Sequence, residues 1–422
     1  MYDEIQQTEK SHSKSSSVEK ILVGSLMENT TIKAESDRDY LFVNKDIICV
    51  ADPCYVTEDD VGKDIFLVDF ENAPHGYTLL RQLQRGGAKS VIGGCLIKKD
   101  KGLYLSSDLF MNTVEPGSYL GQRERNGPAL TMKDSLSKIL LWFYKNAKTK
   151  SKPNYDVDIV NAFPCKMPVP LKTWARRIRN KHWPSPVVVN EVLLLPVYVV
   201  PASQVGTENT DLQWRVSFTR QETHLIQTFS NTQLKVLILA KKIAKYKLRY
   251  HCKEITSYVI KNVVFWVFEE TPPDQFQVTD LIERLRDVLS QLSDFISKRC
   301  LPAYINPDKN LFYGKINATE HNELFSELIK CQSVLTEEFH KCCSRGERSP
   351  DEYFGPMFQD IFESLLGPLS QDIMLPHLKE LCKDMAETQN VVPQDTENRD
   401  KNMPATVPLL ESMMIWFGLF WV

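Results

Sequence analysis

Residues 23–43 read VGSLMENTTIKAESDRDYLFV. An apolar run ends in Gly24-Ser25, and Asp37-Arg38-Asp39 feeds directly into Tyr40-Leu41-Phe42-Val43. Residues i and i+2 of a strand project from the same face, so Asp37 and Asp39 are expected side by side where a strand begins. Two like charges held that close are costly unless a cation lies between them. Mg²⁺ takes oxygen ligands and keeps positions for substrate phosphates. The Gly-Ser turn upstream offers backbone N–H groups and a hydroxyl to a phosphate. Together these features predict a metal-dependent phosphoryl- or nucleotidyl-transfer site. Taken alone, each also describes a solvated strand end or an ordinary turn, so the reading depends on partners elsewhere in the chain.

The 422 residues are 42% hydrophobic and 25% charged, which places the chain among ordinary globular proteins. Their number suits one large bilobal unit or two domains of about 150–250 residues. A formal net charge of −3 gives no global basic field, so nucleic-acid binding would rest on local patches. The ten cysteines follow no framework spacing, and the N-terminus lacks a basic-then-apolar secretory profile. Free thiols in a reducing cytoplasm, or a nucleus, are the expectation. No window approaches the roughly 20 apolar residues of a membrane span.

Residues 1–18 are polar and Ser/Lys-rich, a disordered lead-in by composition. Short β-rich runs follow at 40–43, 46–50, 65–70, 77–83, 91–97 and 103–105, separated by Pro, Gly, Asn and Asp. Apolar spacing predicts a helix over 135–147, a strand over 156–160 and a further β-rich run over 187–200. Between the last two lies a basic aromatic segment, Trp174 to Arg179 followed by His182-Trp183-Pro184. Beyond Trp214 the pattern turns helical, at 229–248, 256–268, 279–298 and 320–343. The expected organisation is a core lobe over 19–212, a helical lobe over 213–345, a helical extension over 346–385 and a polar linker over 386–411. The apolar tail 412–422 is too short to span a bilayer. It could dock on the body or a partner, dip into a membrane interface, or stem from a gene-prediction error.

Residues 214–222, WRVSFTRQE, resemble the WRxSFSxxE signature of the male-abnormal twenty-one (Mab) family, which includes cyclic GMP-AMP synthase and synthase-like innate immune receptors of animals. Other stretches agree in family order. Gly24-Ser25-x-x-Glu28 resembles the nucleotidyltransferase GS turn, and Ser36-Asp37-Arg38-Asp39 the first two metal carboxylates. Asn126-Gly127-Pro128-Ala129 is similar to the GPA turn, and Asp158 to Cys165 to the strand bearing the third carboxylate. Trp174-x-x-Arg177-x-Arg179 and Trp183-Pro184-Ser185 fit the next segment. Ser257 to Lys261 matches an SYxxK helix, and Leu301 to Pro307 an LPxYFxP element. The resemblance spans roughly residues 20–335. It implies an α+β nucleotidyltransferase fold, bilobal, with a mixed-sheet N-lobe and an all-helical C-lobe.

Carried over residue by residue, it implies that Gly24 and Ser25 hold the donor triphosphate. Asp37, Asp39 and Asp158 would be the catalytic carboxylates binding two Mg²⁺ or Mn²⁺ ions. Lys241 and Ser257 would reach phosphate oxygens, Tyr258 would stack on a base, and Arg215, Ser217 and Glu222 would line the acceptor-base pocket. Each has a plainer alternative. Asp156, two residues before Asp158, could face the metals instead. Tyr258 could be a core residue, Arg215 and Glu222 a structural ion pair, and Lys241 part of a solvated basic helix face.

The chain also departs from the family pattern. Asn29 stands where relatives usually have Gly, a mild change because Asn tolerates positive φ. Few residues precede the GS turn, where relatives carry a long spine helix; either that helix is short or the N-terminus is incomplete. Between Glu222 and Ser257 the only cysteine is Cys252, so the synthase's zinc thumb cannot form and no structural zinc is expected. Cys331, His340, Cys342 and Cys343 are ligands by type but lack finger spacing.

The function implied is a ligand-activated synthase making a cyclic dinucleotide from ATP and GTP, with double-stranded RNA or DNA as activator and dimerisation on the ligand. Arg176, Arg177, Arg179 and Lys181, and the basic run 235–253, are the candidate phosphate contacts. The alternatives are a catalytically silent Mab-family scaffold or nucleotide-binding regulator, and linear nucleotide addition to RNA.

Overall fold

The computed structural model describes residues 17–28, 30, 38–87, 92–114, 123–132, 157–166, 169–179, 183–277 and 280–344. They fall into two compact units. The first draws on 1–178, 185–228 and 305–309, the second on 179–184, 229–304 and 310–422. The expected helix at 135–147, residues 1–16 of the lead-in, the extension, the linker and the tail lie outside the described residues, and Val18, expected at the end of the lead-in, is the first residue of a strand.

Twelve strands of the first unit join in one sheet. In chain order they are β1 (Val18–Val23), β2 (Arg38–Asn44), β3 (Ile47–Val50), β4 (Asp64–Asp69), β5 (Tyr77–Gln84) and β6 (Leu96–Lys99). Then come β7 (Gly102–Leu105), β8 (Arg123–Asn126), β9 (Ala129–Met132), β10 (Val157–Lys166), β11 (Val197–Val200) and β12 (Gln213–Ser217). The main path runs β1-β2-β10-β11-β12-β5-β4-β3, and β9 and β3 also pair with β10. Helices α1 (Ser107–Val114), α2 (Val169–Arg176), α3 (Pro186–Leu194) and α4 (Thr219–Gln227) belong to the same unit.

Strand β10 organises this sheet. Its first half lies parallel to β2 and antiparallel to β9; its second half pairs with β3 and β11. Pro164 has no backbone N–H to give a ladder. It falls between the β2 pairing, which ends at Ala162, and the β3 pairing, which starts at Cys165, so no bond is forfeited on that side. Beside it, Phe163 is fully buried against Trp214, with ring centroids 5.0 Å apart, and against Phe110 at 5.1 Å. Trp214 Nε1 donates to the Leu105 carbonyl at 3.0 Å, so the indole is buried without an orphaned donor.

Two expectations are corrected. The run 187–200 is not one β segment: 186–194 is helical, and only Val197–Val200 is a strand. Ser185 Oγ accepts from Val188 N and Pro186 occupies the first turn. These start signals outweigh the few tenths of a kcal/mol that each β-branched residue costs a helix. In the run 91–97, Gly93–Cys95 forms a 3₁₀ turn, and the strand starts only at Leu96. The described cysteines are free thiols. Cys49 and Cys165 stand opposite each other on β3 and β10, and burial pushes the Cys165 thiol up to about 12.

In the second unit, α5 (Asn231–Ile243) continues through a π turn, Ala244–Leu248. It contacts α7 (Leu281–Ser297) and α6 (Ser257–Glu270), and α7 also contacts α8 (Ala318–Ser344). Leu285, Val288, Leu289, Leu292 and Ile296 form the buried stripe of α7, at the helical spacing an amphipathic core helix requires. Trp183 packs on Phe229, Phe265 and Tyr304, with centroids 5.2–5.9 Å apart. The Tyr304 hydroxyl donates to Glu269, which also pairs with Arg179, so the acid has two partners in the core. No described helix is long and apolar enough to cross a membrane.

At the end of β10, Lys166 pairs with Asp60, whose carboxylate also accepts from Thr57 N and Oγ1 and from Lys63. Burial alone would raise the Asp60 carboxyl, but the bonds from Lys166, Thr57 and Lys63 outweigh it and hold the group well below the usual carboxylate range. A depressed folded-state pKa adds stability above the unfolded value near 4 and loses it as pH falls toward the folded value. Asp60→Asn should therefore cost about 2–3 kcal/mol at pH 7, discounted because both lysines are partly exposed. That difference should shrink as the pH falls below 4 in denaturant titrations. At neutral pH, Trp214→Ala should cost about 3–5 kcal/mol, read as a lower urea midpoint.

Candidate active site

The site is built on one transverse row of the sheet. Asp158 stands opposite Asp39 on the parallel neighbour β2 and opposite Thr131 on the antiparallel neighbour β9. Asp39 stands opposite Val23, the last residue of β1, and the chain turns at Gly24 immediately after it. Adjacent strands are about 4.8 Å apart and paired residues point to the same face. The two carboxylates are thus neighbours on one face, half-buried, at the end of the sheet where β1 gives way to the Gly24–Leu26 turn.

Each carboxylate has a device that aims it. Thr131 Oγ1 donates to Asp158 Oδ1 at 2.6 Å, a short bond to a charged acceptor. Gly24 has φ +74, and a Cβ built on it would stand 2.0 Å from Asp39 Oδ2. Glycine is required there twice over, by the left-handed backbone and by the closeness of the carboxylate. Met27 N and Glu28 N both donate to the Gly24 carbonyl, closing the turn, and Ser25 is half-buried on it. Glu28 is buried, and Thr30 Oγ1 lies 3.4 Å from its Oε2.

Along β12 the first residues of the WRVSFTRQE segment alternate between the two faces of the sheet. Trp214 and Val216 point into the core; Arg215 is half-buried between Val200 and Tyr77 in the ladder. Ser217 Oγ lies 2.9 Å from Thr219 Oγ1, and Glu222 is buried in the first turn of α4. Gln221 Nε2 donates to the Leu195 and Pro196 carbonyls, tying α4 to the end of α3.

Asp39, Asp158, Gly24, Ser25, Arg215, Ser217 and Glu222 therefore all belong to the first unit, and only Asp39, Asp158 and the Gly24 turn share the carboxylate row. Asp37 and Asp156 lie outside the described residues. Lys241, half-buried on α5, and Ser257 and Tyr258, exposed at the start of α6, belong to the second unit. Tyr258 is 39% exposed, with the Lys261 ammonium 5.3 Å from its ring centre, so it is a surface aromatic and not a core one. Cys331 is buried on α8, and burial pushes its thiol up to about 11. Among the described residues no group of three or more His, Cys, Asp or Glu side chains is placed to hold a metal ion. The Asp39–Asp158 pair offers only oxygen donors on one face, a donor set that fits a hard divalent cation and not zinc in a structural site. Thr131 gave no signal in the sequence, because its role exists only through the β9–β10 register.

Residues 105–228 match the Mab-21 protein nucleotidyltransferase domain, and residues 229–330 match the Mab-21 protein HhH/H2TH-like domain. The chain belongs to the Mab-21 family. The mab-21-like proteins of Aedes aegypti and Anopheles gambiae are each 24% identical to it, over 262 and 264 residues. Each match covers 58% of this chain and 71% of the relative. The nucleotidyltransferase match includes Asp158, Thr131 and the 214–222 segment; Gly24 and Asp39 precede it and join the site through the sheet register. As a Mab-21 protein, the chain combines a nucleotidyltransferase-type domain of mixed helices and sheet with a helical C-terminal domain.

The Gly24–Asp39 approach is testable without a ligand. Gly24→Ala should cost about 2–4 kcal/mol, from the left-handed backbone and the collision with Asp39 together. In an Asp39→Ala background only about 1–2 kcal/mol should remain. Equal costs in the two backgrounds, measured by denaturant unfolding, would show that the carboxylate does not press on the turn.

Proposed function

We propose that this Mab-21 protein is a metal-dependent nucleotidyltransferase that joins ATP and GTP into a cyclic dinucleotide when a ligand activates it, as part of innate immune signalling. The observation that carries this reading is the register that sets Asp158 opposite Asp39, one residue before the Gly24 turn on the adjoining strand. Asp39 and Asp158, with Asp37, would hold two Mg²⁺ or Mn²⁺ ions. Bound there, such ions supply charge neutralisation at the transferring phosphoryl group and acidify an acceptor hydroxyl.

The chain's own groups do the positioning, which supplies most of the catalysis in in-line phosphoryl displacement. Thr131 orients the Asp158 carboxylate, and the missing side chain of Gly24 leaves the space that Asp39 occupies. Backbone N–H groups of the Gly24-Ser25 turn and the Ser25 hydroxyl receive the donor triphosphate. Arg215, Ser217 and Glu222 line the acceptor-base pocket. Lys241 and Ser257 as phosphate contacts, and Tyr258 as the stacking ring, rest on the family signature; the exposure of Tyr258 is compatible with that role. Double-stranded RNA or DNA is the activator class, with Arg176, Arg177, Arg179, Lys181 and the basic run 235–253 as candidate phosphate contacts, of which Arg176, Lys245, Arg249 and Lys253 are exposed, and dimerisation accompanying activation.

The test is incubation of the full chain with labelled ATP and GTP and Mg²⁺ or Mn²⁺, with and without double-stranded RNA or DNA, followed by chromatography. A phosphatase-resistant product is expected, abolished by Asp158→Asn and reduced about 10–100-fold by Thr131→Val, which removes the donor but keeps the shape. Nucleotide binding with no product under any ligand would identify a silent nucleotide-binding protein instead. A linear product extended on RNA would point to nucleotide addition.

A further inference from the structure

Away from the carboxylate row, the second unit carries a basic surface just beyond α5. Residues 244–253 read AKYKLRYHCK, with Lys245, Lys247, Arg249 and Lys253 and no acid among them. They form the π turn Ala244–Leu248 and one further helical turn, Arg249–His251. Residues four apart share a helix face, and Ala244, Leu248 and Cys252 are all buried. That anchoring leaves Lys245, Arg249, Tyr250 and Lys253 outward, and all four are exposed. Single π turns inside helices are rare and gather at functional sites.

Tyr250 sets this surface apart from an ordinary solvated face. It is 90% exposed, the most exposed aromatic ring among the described residues. Its ring stands at 83° to that of His251, so the two do not stack on each other. Tyr246, by contrast, is half-buried, with the Lys245 ammonium 5.2 Å from its ring centre. The acids that border the run have cations of their own. Glu254 pairs with Lys315 at 3.3 Å and Glu327 of α8 with Lys330 at 3.5 Å, while His251 faces Glu323 and Glu327. The surface around Tyr250 therefore keeps its positive sign.

The chemistry of these groups selects the kind of partner. Exposed cations along a helix suit the phosphates of a nucleic-acid strand. An open aromatic ring between them suits a base, whose flat face stacks on it whatever the base's identity. Inside a duplex both faces of a base are covered by its neighbours, so only an unpaired base can use the ring. A membrane surface would attract the same cations, but an interfacial helix also needs a broad apolar face. Between 244 and 253 no exposed aliphatic side chain accompanies Tyr250.

We propose that this surface is a single-strand site, where Tyr250 stacks on an unpaired base and Lys245, Arg249 and Lys253 hold the flanking phosphates. It rests on the reading of the chain as one switched by nucleic acid, and adds that the activator carries unpaired nucleotides.

The test is fluorescence anisotropy of the full chain with a blunt RNA duplex and with the same duplex bearing a single-stranded overhang, DNA versions being run in parallel. The overhang should tighten binding about tenfold in at least one of the two chemistries. Tyr250→Ala should abolish that gain and leave blunt-duplex affinity unchanged, whereas Tyr250→Phe, which keeps the ring, should retain it. Changing Lys245, Arg249 and Lys253 together to Gln should flatten the log–log salt dependence on the overhang duplex by about 2, at about 0.7 for each single-strand phosphate. Thermal melts establish that the variants are folded. Equal affinity for blunt and overhang duplexes, a gain that survives Tyr250→Ala, or an unchanged salt slope in the triple variant would each overturn the proposal. So would binding to anionic phospholipid vesicles that displaces the overhang duplex and is lost with Tyr250→Ala, which would assign the surface to a membrane. Failure of every duplex to bind would remove the nucleic-acid activator itself, whereas equal binding of blunt and overhang forms removes only this site.

Discussion

The structure of the first unit turns on the register of β10. Fixing Asp158 opposite both Asp39 and Thr131 puts two acids and a hydroxyl in one row across three strands. Once that register is set, β1 must end opposite Asp39, and only a residue without a Cβ can turn beside that carboxylate. A one-residue slip would send Asp158 to the other face and leave Thr131 without its acceptor. The register is held from the far half of the strand. Phe163 is locked between Trp214 and Phe110, and Lys166 is anchored on the Asp60 turn. The apolar half of β10 thus supplies the rigidity that keeps two like charges side by side at the other half.

The WRVSFTRQE segment shows the same division of labour within a few residues. Trp214, Val216 and Gln221 are fully or nearly fully buried and serve packing and the α3–α4 junction. Arg215 is half-buried on the alternate face and Glu222 is buried in the first turn of α4; their ligand roles belong to the proposed function. A signature of this kind is strong for fold because half of it is core. For the same reason it is weaker for the site: the packing residues would be kept by any protein with this sheet, whatever chemistry it performed.

Much of the fold was legible because periodicity is local. The β-rich runs 40–43 and 77–83, bounded by turn residues, and the helical stripe of α7 need no knowledge of the rest of the chain. The composition rule failed at Val187 to Leu194, where Ser185 and Pro186 start a helix that valine content alone argues against. Candidate carboxylates were legible through their spacing and their order along the chain. Thr131 was not, since a threonine carries no signal until the strand register brings it to a carboxylate. Partners across a sheet are a property of topology, and topology is what a single sequence shows least.

The carboxylate row is also the least economical part of the sheet. Two facing acids repel, a left-handed glycine loses more entropy on folding than any other residue, and a short hydroxyl bond is spent on aiming one of the acids. A strand selected only for stability would set threonine or valine opposite Thr131 and close the β1 turn without approaching a charge. Departures from local rules gather where a protein has a task beyond folding. Here three of them meet within one row, while the rest of β10 obeys the rules of a buried strand. That concentration, more than any one residue, is the reason for reading the row as a place where phosphates and a divalent cation are handled.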